Sequence, residues 1–267
     1  MELDFGKKEG IEGVDIKIKT CKSALSKSRL ESDYALNPYT GCSHGCKYCY
    51  APFVLKEDRE WGTFIDIKRN IPKVLADELN KITGTVRIGS VTDPYQEIEE
   101  QYKLTRMCLK QLEKKDIHTI IQTKSDLVTR DIDILKNMDV DVGFTITSLD
   151  DDFRKKFEPN APSISRRLSA LKKLMDNEID VWVFVGPLLP YYNERYEELT
   201  RLSKTLESLG VEEIYLDKLN MRKGILKKLK NILSEEIYEE YKEIFSRNKN
   251  YFENRKDHYK KIGKIVF

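Results

Sequence analysis

Short apolar runs alternate with amphipathic stretches along most of this chain. The runs are rich in β-branched and aromatic residues and are bounded by polar or turn residues, as buried strands are. Runs such as VWVFVG are apolar on both faces, which is typical of strands in a parallel sheet that is covered on both sides. The predicted strands are YALNPY (34–39), TVRIGS (85–90), HTIIQT (118–123), VGFTIT (142–147), VWVFVG (181–186) and EIYLDK (213–218).

Amphipathic stretches of helical length separate these strands. Pro72 stands near the first turn of one of them, where its missing N–H costs nothing, and Gly210 is a candidate C-cap of another. The predicted helices are IPKVLADELNKI (71–82), QYKLTRMCLKQLEKK (101–115), TRDIDILKNM (129–138), SISRRLSALKKLMDNE (163–178) and NERYEELTRLSKTLESLG (193–210). The alternation predicts a single α/β domain with a parallel sheet over 34–220, an N-terminal extension (1–33) and a helical, Lys-rich C-terminal extension (221–267).

Composition excludes several classes of protein. With 34% charged and 40% hydrophobic residues in 267, the chain has the composition of an ordinary globular protein. No apolar run approaches the roughly 20 residues that cross a membrane, so we expect a cytoplasmic protein without a membrane partner. The formal net charge of +2 argues against a surface that is basic throughout. Five cysteines, an odd number, do not suggest a disulfide framework.

The least core-like residues follow the predicted strands at their carboxyl ends. They are the cysteine-rich loop after the first strand, SVTDPYQE (90–97) after the second and TKSD (123–126) after the third. Ligands of parallel α/β sheets bind at that edge. The sequence therefore predicts a single site to which all three segments contribute.

The cysteine-rich loop, NPYTGCSHGCKYCYAPF (37–53), carries the most specific chemistry. Three thiolates spaced Cys-x3-Cys-x2-Cys, at Cys42, Cys46 and Cys49, can each bind one iron of a cubane cluster and leave the fourth iron open. A zinc site with His44 as the fourth ligand is an alternative, although structural zinc sites usually add a second, more distant ligand pair. Burial of the three cysteines as core residues is another, and the polar residues between them disfavour it.

The remaining two cysteines stand apart from this loop. Cys108 falls on the apolar stripe of its predicted helix with Leu104 and Leu112, which predicts a packing role. Cys21 has no partner that the sequence identifies.

The cysteine loop, with Tyr48 beside the last cysteine, resembles the cluster signature of the radical S-adenosylmethionine superfamily. The wider string is similar to the branch that contains spore photoproduct lyase. The similarity continues in order through SVTDPYQEIEEQYKLTR, TKSDLVTRDIDIL, FEPNAPSISRRLSALKKL and GPLLPYYN, and it covers roughly 30 to 220.

This resemblance implies a partial (β/α)6 barrel of the TIM type, with an N-terminal extension and C-terminal helices. It also implies a radical S-adenosylmethionine enzyme with two cofactors, a 4Fe-4S cluster and S-adenosylmethionine, in which one electron splits the cofactor and yields a 5′-deoxyadenosyl radical that abstracts a substrate hydrogen. An electron donor such as flavodoxin or ferredoxin is then an expected partner.

Residue roles follow from the resemblance position by position. Cys42, Cys46 and Cys49 are expected to ligate iron, and Tyr48 to lie beside the adenine. The other expected contacts to the cofactor are the amino group at Ser90, Thr92 and Asp93, the methionine carboxylate at Lys124, and the ribose at Thr147 in preference to Thr145. No catalytic residue is identified.

One position departs from the lyase pattern. Spore photoproduct lyase returns a hydrogen atom to its product from a cysteine, and Ser90 occupies that place here. An alcohol O–H bond is much stronger than a thiol S–H bond, so the lyase reaction does not follow from the resemblance.

Three hypotheses about function therefore stay open at this stage. They are a radical enzyme acting on a small metabolite or a protein, a radical enzyme acting on nucleic acid, and a non-catalytic iron–sulfur or zinc-binding module. The nucleic-acid hypothesis draws on the basic residues after the last strand, Arg222, Lys223, Lys227, Lys228 and Lys230.

Overall fold

Seven parallel strands lie side by side in the order in which they occur along the chain. The computed structural model describes residues 10–28, 30–220, 222–247 and 250–266, without the side chain of Lys223. The parallel strands are β3 (Tyr34–Leu36), β6 (Val86–Ile88), β7 (Thr119–Thr123), β8 (Val140–Thr145), β9 (Asp180–Leu188), β10 (Ile214–Lys218) and β11 (Lys264–Ile265). The short strand β2 (Leu25–Lys27) pairs antiparallel with β3 at one edge of this sheet. Pairing of β2 with β11 does not occur in the described ranges, so the barrel is open, as predicted.

A second, three-stranded sheet lies beside the first. It consists of β1 (Asp15–Lys19), β4 (Tyr39–Thr40) and β5 (Phe64–Lys68), with β5 in the middle. β1 and β5 were not predicted, whereas the predicted strand 34–39 includes the first residue of β4, and β1 belongs to the segment predicted as an N-terminal extension. Its residues 15–19 pair with 64–68 in the predicted core domain. The parts of the two predicted extensions at 1–9, 29, 221, 248–249 and 267 lie outside the described residues.

Helices connect successive strands of the large sheet, as the alternating pattern predicts. They are α1 (Ala51–Leu55), α2 (Ile71–Glu78), α3 (Ile98–Tyr102), α4 (Leu104–Leu112), α5 (Ile132–Leu135), α6 (Asp151–Phe157), α7 (Ile164–Met175), α8 (Tyr196–Ser208), α9 (Lys223–Leu229), α10 (Glu235–Ser246) and α11 (Lys256–Tyr259), with short 3-10 turns at Leu79–Lys81, Asp126–Asp131 and Glu253–Arg255. No described helix is both long and apolar enough to cross a membrane.

Gly210 ends one predicted helix, and another predicted helix is interrupted. Gly210 follows α8 with a φ of +91°, which confirms its role as a C-cap. The predicted helix over 101–115 is wrong in one respect: it is broken at Lys103, whose φ is +53°. The carboxylate of the buried Glu99 accepts hydrogen bonds from the N–H groups of Thr105 (2.9 Å) and Arg106 (3.2 Å), so it caps the second segment.

The two faces of the parallel strands have different environments. Val86, Ile88 and Val142 alternate with residues of the other face and are fully or almost fully buried in the core that the helices cover. Cys108 is in the same core, which confirms its packing role. The other face, including Arg87 and Gln122, lines an internal cavity. This alternation places polar side chains such as Arg87 and Gln122 in the interior of the barrel.

Candidate functional site

The three predicted loop segments meet at one cavity of about 1450 Å³. Cys42, Cys46 and Cys49 line its wall, together with Ser90 and Lys124 from the loops after β6 and β7. The cavity continues from this rim along the inner face of the strands. Its volume exceeds the roughly 300–1,000 Å³ of an ordinary small-molecule pocket, so it has room for more than one ligand.

Two glycines let the cysteine loop fold tightly. Gly41 has a φ of +90° and Gly45 a φ of +60°, both in the left-handed region. A side chain at Gly41 would meet the backbone oxygen and the ring of Phe64. The close approach of the loop to β5 therefore requires glycine at position 41.

Thr92 and Gln96 hold the start of the cysteine loop at Gly41 and Ser43. The Thr92 hydroxyl donates to the carbonyl oxygen of Gly41 (2.6 Å), and the fully buried Gln96 amide donates to the same oxygen (3.2 Å). The Gln96 oxygen accepts from the N–H of Ser43 (2.8 Å). Thr92 lines the cavity, but its hydroxyl is engaged by the loop that it supports.

The end of α6 and the segment after it also hold the loop. The N–H of Lys47 donates to the carbonyl of Phe157 (2.9 Å), and the Asn160 amide donates to the carbonyl of Ser43 (2.9 Å). The loop is thus fixed from two sides before any ligand binds.

The three cysteine thiols are partly or fully shielded from solvent, and in the absence of metal their protonated form is favoured. Cys42 is buried, and Cys46 and Cys49 are half-buried. Burial is the main cause that raises the pKa of all three thiols, to about 12 for Cys46. Neutral thiols must lose their protons when they bind a metal, so the metal supplies the charge that stabilises the thiolates.

The donor set fits a cubane cluster. The three thiols come from one loop and line one cavity, while Cys21 and Cys108 lie elsewhere in the fold. Within the described ranges, no three His, Cys, Asp or Glu side chains converge as ligands of a single metal ion. A cubane needs no such convergence, because each cysteine binds a different iron. The Nδ1 atom of His44 faces a carboxylate oxygen of Asp93 at 3.4 Å.

A buried network fixes Tyr48. Its hydroxyl donates to Glu158, whose other oxygen accepts from Arg167 at 2.5 Å. Arg167 also donates to the carbonyl oxygens of Thr145 (3.2 Å) and Pro162 (2.9 Å), so its charge is fully partnered. Burial opposes ionisation of Glu158, but the charges of Arg167 and Lys124 outweigh it and lower its pKa to about 2. The network therefore holds an ionised carboxylate against the Tyr48 hydroxyl.

Thr147, predicted near the ribose, belongs to this network. Its hydroxyl donates to Glu158 (2.8 Å), and its side chain is almost completely buried. Thr147 does not line the cavity, whereas Thr145 does.

Lys124 and Ser90 present polar groups to the cavity. The Lys124 ammonium has no hydrogen-bond or ion-pair partner in the described part of the chain, and it lies 5.7 Å from the centre of the Tyr48 ring. The Ser90 hydroxyl accepts from the Asn37 amide (3.0 Å). The Ser90 carbonyl accepts from the Tyr50 hydroxyl (2.6 Å).

Asp93 is engaged mainly by the protein itself. One oxygen accepts from the Thr123 hydroxyl (2.7 Å) and the Tyr95 N–H (3.0 Å), and the other from the Lys124 N–H (2.8 Å). These contacts fix the start of the loop after β7 and so position Lys124.

Sequence reasoning did not identify Gln96, Asn160, Glu158 or Arg167 as site residues. Glu158 and Arg167 lie in FEPNAPSISRR, a segment singled out only as part of the resemblance. The pattern of alternation predicted its helix but not the direction of its charged side chains, because a Glu–Arg pair is usually a solvated one.

Comparisons with known proteins identify the family. The sequence profile of the radical SAM superfamily matches residues 36–203. An uncharacterised protein of Methanocaldococcus jannaschii is 38% identical over 178 residues, which are 66% of this chain and 68% of that protein. An uncharacterised protein of Mycobacterium tuberculosis is 30% identical over 79% of this chain and 67% of its own length.

Solved structures share the fold at low sequence identity. Spore photoproduct lyase complexed with dinucleoside spore photoproduct superimposes with a TM-score of 0.66 at 18% identity, over 81% of this chain and 65% of the lyase chain. SuiB of Streptococcus suis bound to S-adenosylmethionine gives a TM-score of 0.54 at 13% identity, over 91% of this chain and 49% of that one. The chain therefore spans less than two thirds of either structure.

Proposed function

The chain belongs to the radical S-adenosylmethionine superfamily, whose enzymes use a 4Fe-4S cluster and S-adenosylmethionine, and from that premise we propose that Cys42, Cys46 and Cys49 hold the cluster. The single observation that carries this proposal is the position of the three thiols, on one preformed loop in the wall of one large cavity. When bound, the cluster supplies the electron that splits S-adenosylmethionine to a 5′-deoxyadenosyl radical, which takes a hydrogen atom from a substrate.

The chain's own residues orient the cofactor. The Lys124 ammonium, without a partner in the described ranges, is a donor for the methionine carboxylate. Ser90 accepts from the amino group. Tyr48, whose hydroxyl is tied to Glu158, presents a fixed ring beside the adenine.

Three residues predicted to touch the cofactor have a different proposed role. Through their hydrogen bonds, Thr92 holds the cysteine loop, Asp93 holds Lys124 and Thr147 holds the Tyr48 network. We propose that they position other groups, and that Thr145, which lines the cavity, is nearer to the ribose.

Metal content is the first test. Anaerobically reconstituted protein is expected to bind about four irons and to lose them when Cys42, Cys46 and Cys49 are changed to Ala. Cys21→Ala and Cys108→Ala are the controls and should keep the iron. Retention of a complete cluster by the triple variant, or one bound zinc in colourless protein, would refute the proposal.

Cofactor binding is the second test. S-adenosylmethionine should change the electron paramagnetic resonance spectrum of the reduced protein, and turnover should yield 5′-deoxyadenosine. Lys124→Ala should weaken binding by ~1.5–3 kcal/mol, the contribution of a hydrogen bond to a charged group. Unchanged affinity would make Lys124 a solvated charge.

Repair of spore photoproduct is expected to be negligible. With Ser90 in place of the thiol donor, reduced protein should make some 5′-deoxyadenosine without repairing the lesion. Clean repair over many turnovers would contradict this view of Ser90, and a gain of repair in Ser90→Cys would support a lyase-like ancestry.

A nucleic-acid substrate is the second candidate, favoured by basic residues after β10. Two of them pack on aromatic rings: the Nζ of Lys228 lies 5.2 Å from the ring centre of Phe53, and that of Lys230 lies 6.0 Å from that of Tyr238. Strong salt dependence of DNA or RNA binding would support this candidate. A cytoplasmic location and an electron donor such as flavodoxin or ferredoxin stay predictions.

A further inference from the structure

Arg87 lies on the inner face of the barrel, at the centre of β6. Its neighbours in the sheet are Ala35 of β3 and Ile120 of β7, so it is in the interior of the sheet and not at an edge. It lines the same cavity as the three cysteines, and its side chain is buried, with 9% of the residue exposed.

The guanidinium of Arg87 has almost no partners. The acceptor recorded for it is the Gln122 amide oxygen at 3.5 Å, which is the limit of a hydrogen bond, and its buried Nε–H has none. No carboxylate lies within ion-pair distance of it in the described ranges. Burial lowers the pKa of Arg87 below its usual value. A buried cation left in this state costs free energy that a bound anion would recover.

Two carboxylates of the cavity, Asp141 and Glu31, act on Arg87 by their charge without pairing with it, and Asp141, the stronger of the two, is committed to other groups. Asp141 accepts from the indole N–H of Trp182 through one oxygen and faces Nε2 of His118 at 3.1 Å through the other. The Trp182 ring centre lies 5.8 Å from the guanidinium carbon of Arg87 and covers that side of it. Asp141 is thus held away from Arg87 by a ring that itself contacts the arginine.

The charge around the cavity restricts what Arg87 can bind. Eight of the lining side chains are carboxylates and three are cations, the other two cations being Lys124 and Lys218. Lys218 faces Glu253 at 3.7 Å, and Lys124 is proposed to hold the cofactor. Because carboxylates outnumber cations in its wall, the cavity repels a polyanion but accepts a molecule that has one anionic group and is otherwise neutral or cationic.

We infer that the barrel interior holds the substrate by a single oxyanion, a carboxylate or a phosphate, on the planar guanidinium of Arg87. The inference rests on the proposed function, because it makes the cavity below the cysteine loop the substrate site. The guanidinium fork matches the two oxygens of such a group, and this geometry makes Arg87 a specificity-determining residue. Since the hydrogen bond between Arg87 and Gln122 is long, at 3.5 Å, the Gln122 amide can turn and donate to the same ligand.

Thermal unfolding of reconstituted protein with saturating S-adenosylmethionine is the test. Acetate and inorganic phosphate are added separately and compared with chloride at equal ionic strength. At ten times the dissociation constant, the anion that matches should raise the melting temperature by ~3–6 °C. The two arms distinguish a carboxylate from a phosphate.

Variants assign the shift to Arg87. Arg87→Gln should lose the shift, and Arg87→Lys, which keeps the charge without the fork, should retain part of it. The matched control is Arg195→Gln, an exposed arginine outside the cavity, which should keep the whole shift. Circular dichroism checks that each variant is folded. If Arg87→Gln does not fold, the partial loss of the shift in Arg87→Lys provides the test.

Several results would overturn the inference. They are no shift with either anion, an equal shift in Arg87→Gln, and a shift that appears only without S-adenosylmethionine, which would assign Arg87 to the cofactor's own carboxylate. Arg87-dependent, salt-sensitive binding of a single-stranded oligonucleotide would overturn it in favour of nucleic acid. Failure of the proposed function would appear separately, as missing iron or an unchanged spectrum in the same preparation.

Discussion

Arg167 and Arg87 are both buried arginines of the barrel, and their surroundings are opposite. Arg167 is fully buried and donates to one carboxylate and two backbone carbonyls. Arg87 is 9% exposed and has one distant amide oxygen. Arg167 is a buried charge whose hydrogen bonds stabilise the fold, whereas Arg87 is a buried charge whose hydrogen-bonding capacity is mostly unused. The first lies behind the cysteine loop and fixes it, and the second lies where a ligand can reach it.

The largest effect is expected at Arg167. Arg167→Leu leaves Glu158 as a buried anion without its main partner, and that should lower the free energy of unfolding by ~3–5 kcal/mol. Chemical denaturation of the metal-free protein measures it.

Arg166 provides the matched control for this variant, since it is adjacent in α7 but mostly exposed. It pairs with Asp126 at 2.9 Å on the surface, so Arg166→Leu should change stability by less than ~1 kcal/mol. Equal effects of the two substitutions would mean that the buried network does not hold the fold around the loop.

The second effect concerns Asp217, a half-buried carboxylate of the same cavity as Arg87. Burial raises its pKa from 3.8 to about 6 against the weaker pull of Lys218. A carboxyl whose pKa is raised by folding favours the protonated state, so its ionisation destabilises the protein as the pH rises from about 4 through 6. Asp217→Asn should therefore gain ~1–3 kcal/mol above pH 7.

The same variant should show no gain at pH 4, because the carboxyl of the folded wild type is protonated there. Denaturation curves at pH 4 and pH 7.5 decide this. A gain of equal size at both values would show that the effect is one of packing and not of charge.

Arg87 should respond in the opposite direction to Arg167. Arg87→Leu removes a buried donor that has no acceptor, so stability in the absence of ligand should rise by ~1–2 kcal/mol. A loss of stability would show that the guanidinium has an internal partner and would remove the contrast between the two arginines.

The sequence predicted six of the seven parallel strands described, all but β11, and the position of the cysteine loop, because both depend on local patterns. Strand periodicity and the spacing of Cys42, Cys46 and Cys49 are visible without any tertiary contact. β1 and β5 of the small sheet were not predicted, since both are short and they pair with each other between positions that are far apart in the chain.

The same limit applies to the charged residues of the site. TVRIGS and SISRRLSALKKL each contain arginine on a regular element, and nothing local distinguishes Arg87 from Arg167. Which of them finds a carboxylate depends on Glu158, from the turn after α6, and on Trp182, from β9. Such partners are set by the fold, so the difference between a positioning residue and a binding residue is a tertiary property.

The smallest effect on stability is expected at Thr147, and it tests whether this residue belongs to the buried network of Tyr48, Glu158 and Arg167. Its hydroxyl donates to Glu158 at 2.8 Å and it does not line the cavity, so Thr147→Val should cost ~1 kcal/mol of stability, the value of one hydrogen bond. The affinity for S-adenosylmethionine should then change by less than about threefold, since Arg167 still holds Glu158 and Glu158 still holds Tyr48. Thr145→Val, at the cavity wall, is the comparison and should weaken binding more. If instead the Thr147 variant loses affinity with no loss of stability, its hydroxyl contacts the ribose, and the original prediction from the sequence is the correct one.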